Sequence, residues 1–166
     1  MIGLDPVREQ LADVSRRAGR RVERGGVPNL LFALATAQRP PEELAGRAGE
    51  VLVTLPWGDL LEGLALAHAD VLDGLATLAR PGARLRLVLN GAAWAANAPT
   101  RMRRLPRLTP EYVRLVLAER YAAHGILVDD ARRLRDDEID ALHSTWAKRL
   151  CHGNGRPELT LIEAHV

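Results

Sequence analysis

The stretch EVLVTLPWGDLLEGL, residues 50–64, decides how the chain folds. Residues 50–56 are apolar and rich in β-branched side chains, the composition of a buried strand. A helical pattern starts at residue 59 and runs to 79. The junction between them is Pro56-Trp57-Gly58. Proline has no N–H with which to extend a ladder, and glycine has no side chain to pack. Between the two stands a tryptophan, the largest aromatic. A buried tryptophan is ordinarily core, and one displayed at a strand end is a binding surface. On these residues alone both readings stand.

The same alternation repeats outward from this junction. MIGLDPV looks like the end of a strand followed by a helix start at Asp5-Pro6. Residues 7–22 suit a helix with Val7, Leu11, Val14 and Ala18 on one face. GGVPN (25–29) is a turn, and LLFALATA (30–37) is a continuous apolar run, typical of a strand buried on both faces. PPEELAG opens a short helix, and the helical region 59–79 stops at the breaker RPGA. RLRLVLN (84–90) is another strand, followed by a connection over 91–108 rich in Ala, Pro and Arg.

Residues 109–125 are a well-marked helix, with Thr109 at the N-cap, Pro110 in the first turn and Gly125 as the stop. Its apolar face is Val113, Val116, Leu117 and Tyr121. ILVDDARRL (126–134) reads as a strand, 136–150 as a helix or a broken pair, GNGRP as a turn, and ELTLIEAHV as an alternating terminal strand. Strands alternating with helices predict an α/β fold with a mostly parallel sheet covered on both faces. The last two strands allow an antiparallel pair at one edge. No repeat, linker or second domain interrupts residues 1–166, so a single domain is expected. Ligands bind such sheets at the carboxyl ends of the strands. That selects Asp5, the ATAQ at 35–38 and the LPWG at 55–58.

Bulk properties narrow the class. Aromatic residues make up only 4% of a chain that is 47% apolar, so the core is built from Leu, Val and Ala, and the three tryptophans stand out. The single cysteine, Cys151, permits no intrachain disulfide and favours a reducing compartment. No basic-then-apolar leader and no apolar run near ~18 residues is present, so neither secretion nor membrane spanning is expected, and the cytoplasm is. Net charge is a mild +2, but arginines cluster at 16–24 and 101–107, as a solvated surface or as a seat for polyanions. Asp5 ends a strand before a helix, where an acidic group holds ribose hydroxyls in nucleotide-type folds; Asp-Pro is equally a helix cap.

Taken together, GLDPV, GGVPNLLFALATAQRPP, VLVTLPWGDLLEGL, LARPGARLRLVLNGAAW and STWAKRL resemble the class I S-adenosylmethionine-dependent methyltransferases. More narrowly, they resemble the kanamycin–apramycin resistance family, which methylates N1 of one adenine in the decoding site of 16S rRNA. The resemblance implies that Trp57 and Trp146 sandwich the target adenine once it has left the RNA stack. N1 of a paired or stacked adenine is inaccessible, so the base must be extruded and held. Neutral adenine N1 is already a good nucleophile, so positioning matters more than a strong base. Pro56 and Ser144 complete the expected catalytic set, with a backbone carbonyl of Pro56 or Leu55 accepting from the adenine amino group.

The cosubstrate, S-adenosylmethionine, is expected at Asp5, Ala37, Gln38, Leu55 and Thr145. Arg17, Arg21, Arg24, Lys148, Arg149 and Arg156 match basic positions expected to grip the rRNA of the 30S subunit, and the 101–107 cluster is a plausible further contact. No metal and no membrane enter this picture. Two departures are visible. Gln38 stands where the family usually has Glu. The family's first strand and Gly-rich loop are also absent, because the chain begins inside the second strand. The sheet is therefore expected to lack its usual first, central strand. The chain should then be poorly stable alone, or close the gap by direct strand pairing or by exchange with another copy. Activity of this chain is in question on the same ground, and a non-catalytic RNA-binding remnant, or a methyltransferase for tRNA or a small molecule, are the alternatives.

Overall fold

A computed structural model describes residues 1–91, 100, 102–142 and 158–166. Trp94, Ser144, Thr145, Trp146, Lys148, Arg149, Cys151 and Arg156 lie outside these described residues. The order of elements is β1 (Ile2–Asp5), α1 (Arg8–Ala18), β2 (Leu31–Leu34), β3 (Ala48–Thr54), α2 (Gly58–Leu66), α3 (Ala69–Leu78), β4 (Ala79–Asn90), α4 (Pro110–Tyr112), α5 (Ala118–Ala122), β5 (Leu127–Arg133), α6 (Asp136–Asp140) and β6 (Leu159–His165). The fold is α/β with a mixed sheet, as the alternation predicts. A π-helical turn, Val113–Leu117, joins α4 to α5, so residues 110–122 form one helix with a widened middle.

The strands fall into two hydrogen-bonded groups. β1 pairs parallel with β2, Ile2 opposite Leu31 and Asp5 opposite Leu34. The other four run in the order β3-β4-β6-β5. β3 and β4 are parallel, and β6 lies antiparallel to both β4 and β5. β1 and β3 are not paired with each other, so direct strand pairing does not join the two groups among the described residues.

The core belongs to the larger sheet. Leu61, Leu64, Leu72, Leu75, Val113, Leu117 and Tyr121 from the helices close over Leu85, Leu87, Leu89, Ile162 and Ala164 on one face. Each Leu, Val or Ile side chain among them contributes roughly 1.5–3 kcal/mol by leaving water. On the opposite face Val88, Leu159, Leu161 and Ile139 of α6 make a second cluster, which Leu55 joins.

Several expectations change. The apolar run at 30–37 does not become a doubly buried strand: β2 is only four residues, with Leu31 66% exposed. Helix α1 shows the predicted apolar face but buries no residue and stops at Ala18. In β3, Val51 and Val53 are buried while Leu52 is 55% exposed, so this strand too is covered on one side only. These elements flank the edges of β1 and β3, which pair with no further strand among the described residues. The stretch 59–79 splits into two helices at Ala67, whose φ of 58° is left-handed. The RPGA segment lies inside β4, where the register slips between Ala48 and Glu50. The terminal strand is buried on both faces because it is interior, between β4 and β5; β5 is the edge. Its Thr160 hydroxyl donates to the Leu108 carbonyl at 2.6 Å, which satisfies the polar group that burial would otherwise strand.

Candidate functional site

The end of β3 is held in an uncommon backbone shape. Leu55 has φ 51° and Gly58 φ 62°, so both residues flanking Pro56-Trp57 are left-handed. For leucine this conformation costs about 1–2 kcal/mol and persists only where the surroundings impose it. They do so here: the Leu55 N–H donates to the Val88 carbonyl of β4 at 2.8 Å, and its side chain packs on the second core cluster. The turn leaves the Trp57 side chain outward. Trp57 is 49% exposed and is the N-cap residue of α2, while Pro56 is half-buried.

Helix α2 is fixed at its other end by the chain's two tyrosines. The Tyr121 hydroxyl donates to the Leu64 carbonyl at 2.8 Å, and that of Tyr112 to the Ala65 carbonyl at 3.2 Å. Carbonyls in a last helical turn lack partners within the helix, and these hydroxyls supply them. Tyr121 is fully buried, and burial pushes its ionisation well above the usual phenol range, so it is a donor at every working pH.

Asp5 stands at the carboxyl end of β1. Its Oδ1 accepts the Val7 N–H at 2.7 Å, closing a turn ahead of α1; the N-cap residue is Val7, without a side-chain cap bond, so the helix starts at Arg8 and not at Asp5-Pro6. Its backbone carbonyl accepts from Ala35 at 3.3 Å and ties this strand end to the segment 35–38. That segment turns back through a bridge between Thr36 and Arg39, with the Arg39 N–H on the Thr36 hydroxyl at 3.2 Å. Ala37 then presses on α3 at Gly74, so closely that a Cβ on Gly74 would lie 1.8 Å from the Ala37 carbonyl oxygen. Ala37 and Gln38 are half-buried there. Asp5, Ala37 and Gln38 therefore share one strand-end region, and Leu55, Pro56 and Trp57 occupy the carboxyl end of β3.

The basic residues at 17–24 sit on a tight reversal. Arg17 ends α1, and Arg21 and Arg24 lie on and beside the 3-10 turn Val22–Arg24. Gly26 donates to the Arg21 carbonyl at 3.0 Å, and a Cβ on Gly26 would collide with the Arg20 carbonyl oxygen at 1.7 Å. All three arginines are exposed. Ser144, Thr145, Trp146, Lys148, Arg149 and Arg156 lie outside the described residues. Sequence reasoning missed the tyrosine caps and Gly74. A buried tyrosine on a helix facing a helix end is the only signal it offers for the first, and the second has none, since a glycine inside a helix does not announce what approaches it.

Among the described residues no three His, Cys, Asp or Glu side chains gather as a metal site, and no helix is long and apolar enough to cross a membrane. The arrangement offers an exposed aromatic face at a strand end, a carboxylate and a half-buried amide at neighbouring strand ends, and exposed guanidinium groups. That is equipment for stacking a flat base and for binding an adenosine group and phosphates.

Comparison with known proteins places the chain in a family. The family model "NpmA: 16S rRNA (adenine(1408)-N(1))-methyltransferase" matches residues 1–165. A 16S rRNA (adenine(1408)-N(1))-methyltransferase of Streptoalloteichus tenebrarius is 37% identical over 166 residues, covering 100% of this chain and 76% of that protein. One from Escherichia coli is 34% identical, covering 99% and 75%. Among solved structures, a tryptophan-to-alanine variant of the corresponding Catenulisporales acidiphilia enzyme with its cosubstrate SAM is 38% identical. It has a TM-score of 0.86 over 99% of this chain and 74% of that one. The 16S rRNA methyltransferase KamB is 34% identical, with a TM-score of 0.87 over 99% and 75%.

Proposed function

The chain belongs to the 16S rRNA (adenine(1408)-N(1))-methyltransferase family, and from that premise we propose how its own residues serve the reaction. The activity is S-adenosylmethionine-dependent methyl transfer to adenine N1 of 16S rRNA, the modification that gives aminoglycoside resistance. A tRNA or small-molecule substrate has no support from the relatives. The observation that carries the reading is the half-exposed Trp57 at the end of β3, fixed between two left-handed residues.

Trp57 offers one face to an extruded adenine, and stacking on an aromatic ring is worth roughly 1–3 kcal/mol per base. Trp146 supplies the opposite face, with Ser144 and Thr145 beside it. The Leu55 or Pro56 carbonyl accepts from the adenine amino group and so presents N1 in its neutral, nucleophilic form. No general base is required, because N1 carries no proton to remove.

The residues at the other strand ends fit the cosubstrate. Asp5 keeps Oδ2 without a hydrogen-bond partner among the described residues, in the position where a carboxylate takes ribose hydroxyls. Gln38 and the Ala37 backbone border the place of the adenine ring. When bound there, S-adenosylmethionine would supply an electrophilic sulfonium methyl carbon for transfer to the adenine N1 lone pair. The chain's residues hold the two groups in line and exclude water, which is where such enzymes gain most.

Arg17, Arg21 and Arg24, with Lys148, Arg149 and Arg156, take backbone phosphates and orient the enzyme without reading sequence. The working partner is the 30S subunit and the compartment the cytoplasm, both following from a ribosomal substrate.

The test is primer extension on 16S rRNA from 30S subunits incubated with this chain and S-adenosylmethionine. An N1-methyl group blocks pairing, so a stop at the decoding-site adenine is expected. Absence of that stop, together with no calorimetric binding of S-adenosylmethionine, would sink the reading in favour of a non-catalytic RNA-binding protein.

A further inference from the structure

One carboxylate on the carboxyl edge of the larger sheet holds two arginines at once. Glu158 Oε2 accepts from Arg107 Nη2 at 3.1 Å, and its Oε1 lies 3.6 Å from Arg133 Nη1. Each oxygen faces a different guanidinium, as the oxygens of a bridging phosphate would. Both arginines are exposed and Glu158 is half-buried, so the pairing lies at the surface and is open to exchange. Ion pairs this exposed stabilise a fold by little, typically 0–1 kcal/mol, so stability alone is a weak reason for the arrangement.

The backbone beneath is fixed independently of the carboxylate. The Gly91 N–H donates to the Glu158 carbonyl at 2.7 Å, and Leu159, which follows, is buried and accepts from Leu134 at 2.9 Å. Glu158 can therefore swing its side chain away without moving the strand. The position is also relevant to the substrate. Asn90 is opposite Leu159, Thr160 opposite Arg133, and Thr54 opposite Val88. These registers put Glu158 and Arg133 on the same edge as the end of β3, two and three strand spacings from it, or about 10 and about 14 Å. An RNA strand with its base on Trp57 has phosphates within that reach. The nearby Arg132 and Arg135 are engaged by Glu138 and Asp137 of α6, whereas Arg107 and Arg133 both pair with Glu158, and Glu111 adds a further acidic charge towards Arg133.

We propose that Glu158 is a stand-in for an RNA phosphate: it holds Arg107 and Arg133 together in the free protein and is displaced from them by a backbone phosphate when rRNA docks. The proposal rests on the ribosomal reading of the substrate. Its consequence is a brake on unspecific binding, because any polyanion must first compete with an internal carboxylate.

The test compares the parent chain with Glu158→Gln and, as a control for the same change in net charge, Glu43→Gln on the exposed 3-10 turn Glu42–Leu44. Binding to 30S subunits is measured across a series of KCl concentrations, and retention on heparin in parallel. Glu158→Gln should bind several-fold more tightly at low salt. Its plot of log affinity against log salt should keep the parent's slope, because the same phosphate contact forms in both and only the internal competitor is removed. Glu43→Gln should gain no comparable affinity, and Arg107→Gln should remove the gain when added to Glu158→Gln. Equal behaviour of the two glutamine variants on both matrices overturns the proposal, as does weaker binding by Glu158→Gln. If the parent prefers 30S subunits no more than heparin while Glu158→Gln alone still gains on heparin, the ribosomal reading fails and the carboxylate-for-phosphate exchange stands.

Discussion

At the scale of single residues, Trp57 separates two roles that tryptophan usually combines. Because half of it is exposed, its removal should cost binding rather than folding. Trp57→Ala is expected to lower kcat/KM on 30S subunits by the roughly 1–3 kcal/mol of one stacked base, about 5- to 150-fold. Its melting temperature should stay close to the parent's, and Trp57→Phe should recover most of the activity. A large drop in thermal stability for the alanine variant would return this residue to the core. Tyr121 is the opposite case. Tyr121→Phe keeps the ring but orphans the Leu64 carbonyl, for a loss of about 1–3 kcal/mol in denaturant melts. The motif at 55–58 was readable as a strand end. What no sequence pattern carries is that Leu55, a residue disfavouring positive φ, holds the turn with Gly58, because that conformation is imposed by its bond to Val88 on another strand.

At the scale of elements, α6 reports on pH. Arg132 grips Glu138 through two hydrogen bonds of 2.8 Å, and the Arg135 N–H adds a third at 2.9 Å. Led by the Arg132 bonds, these hold its carboxyl down at about 2, against an ordinary 4.5. A carboxyl lowered by folding contributes stability that is complete above the ordinary value and is lost as pH falls from about 4.5 towards 2. Melts over that range should show the parent losing more than Glu138→Gln, with the two curves converging at the acid end. Parallel curves would mean that the pair does not form in solution. Helix α3 makes a steric prediction: Gly74→Ala drives a methyl into the Ala37 carbonyl and should cost about 1–3 kcal/mol and loosen cosubstrate binding together. Element types were largely legible in the periodicity, and the 109–125 helix came with its Thr109 cap, whose hydroxyl accepts from Tyr112 at 3.2 Å. Burial was less so, since an apolar run such as 30–37 states what a strand can bury and is silent on whether a neighbour is there to bury it.

At the scale of the whole molecule, the α/β class, the parallel start and the antiparallel finish follow from the order of strand and helix signals. The interior position of β6 does not, because strand order depends on contacts far apart in sequence. The core is as uneven as the sheet: the buried apolar side chains begin at Val51, while most of the exposed large ones lie before Thr54. A denaturant melt followed separately by tryptophan fluorescence and by backbone circular dichroism should therefore not superimpose. Superimposable transitions would show that the two strand groups unfold as one. The division also sets a clock for each amide. Protons on β4 and β6, laddered on both sides beneath two apolar clusters, leave only when the whole sheet opens, and exchange with heavy water over the longest times. Those of β1 and β2, in a four-rung ladder with no buried side chain, leave through local opening and turn over early. A deuterium map of the protein would then draw the boundary between its two sheets, and a ligand held at Asp5 and Ala37 would be read as that boundary fading.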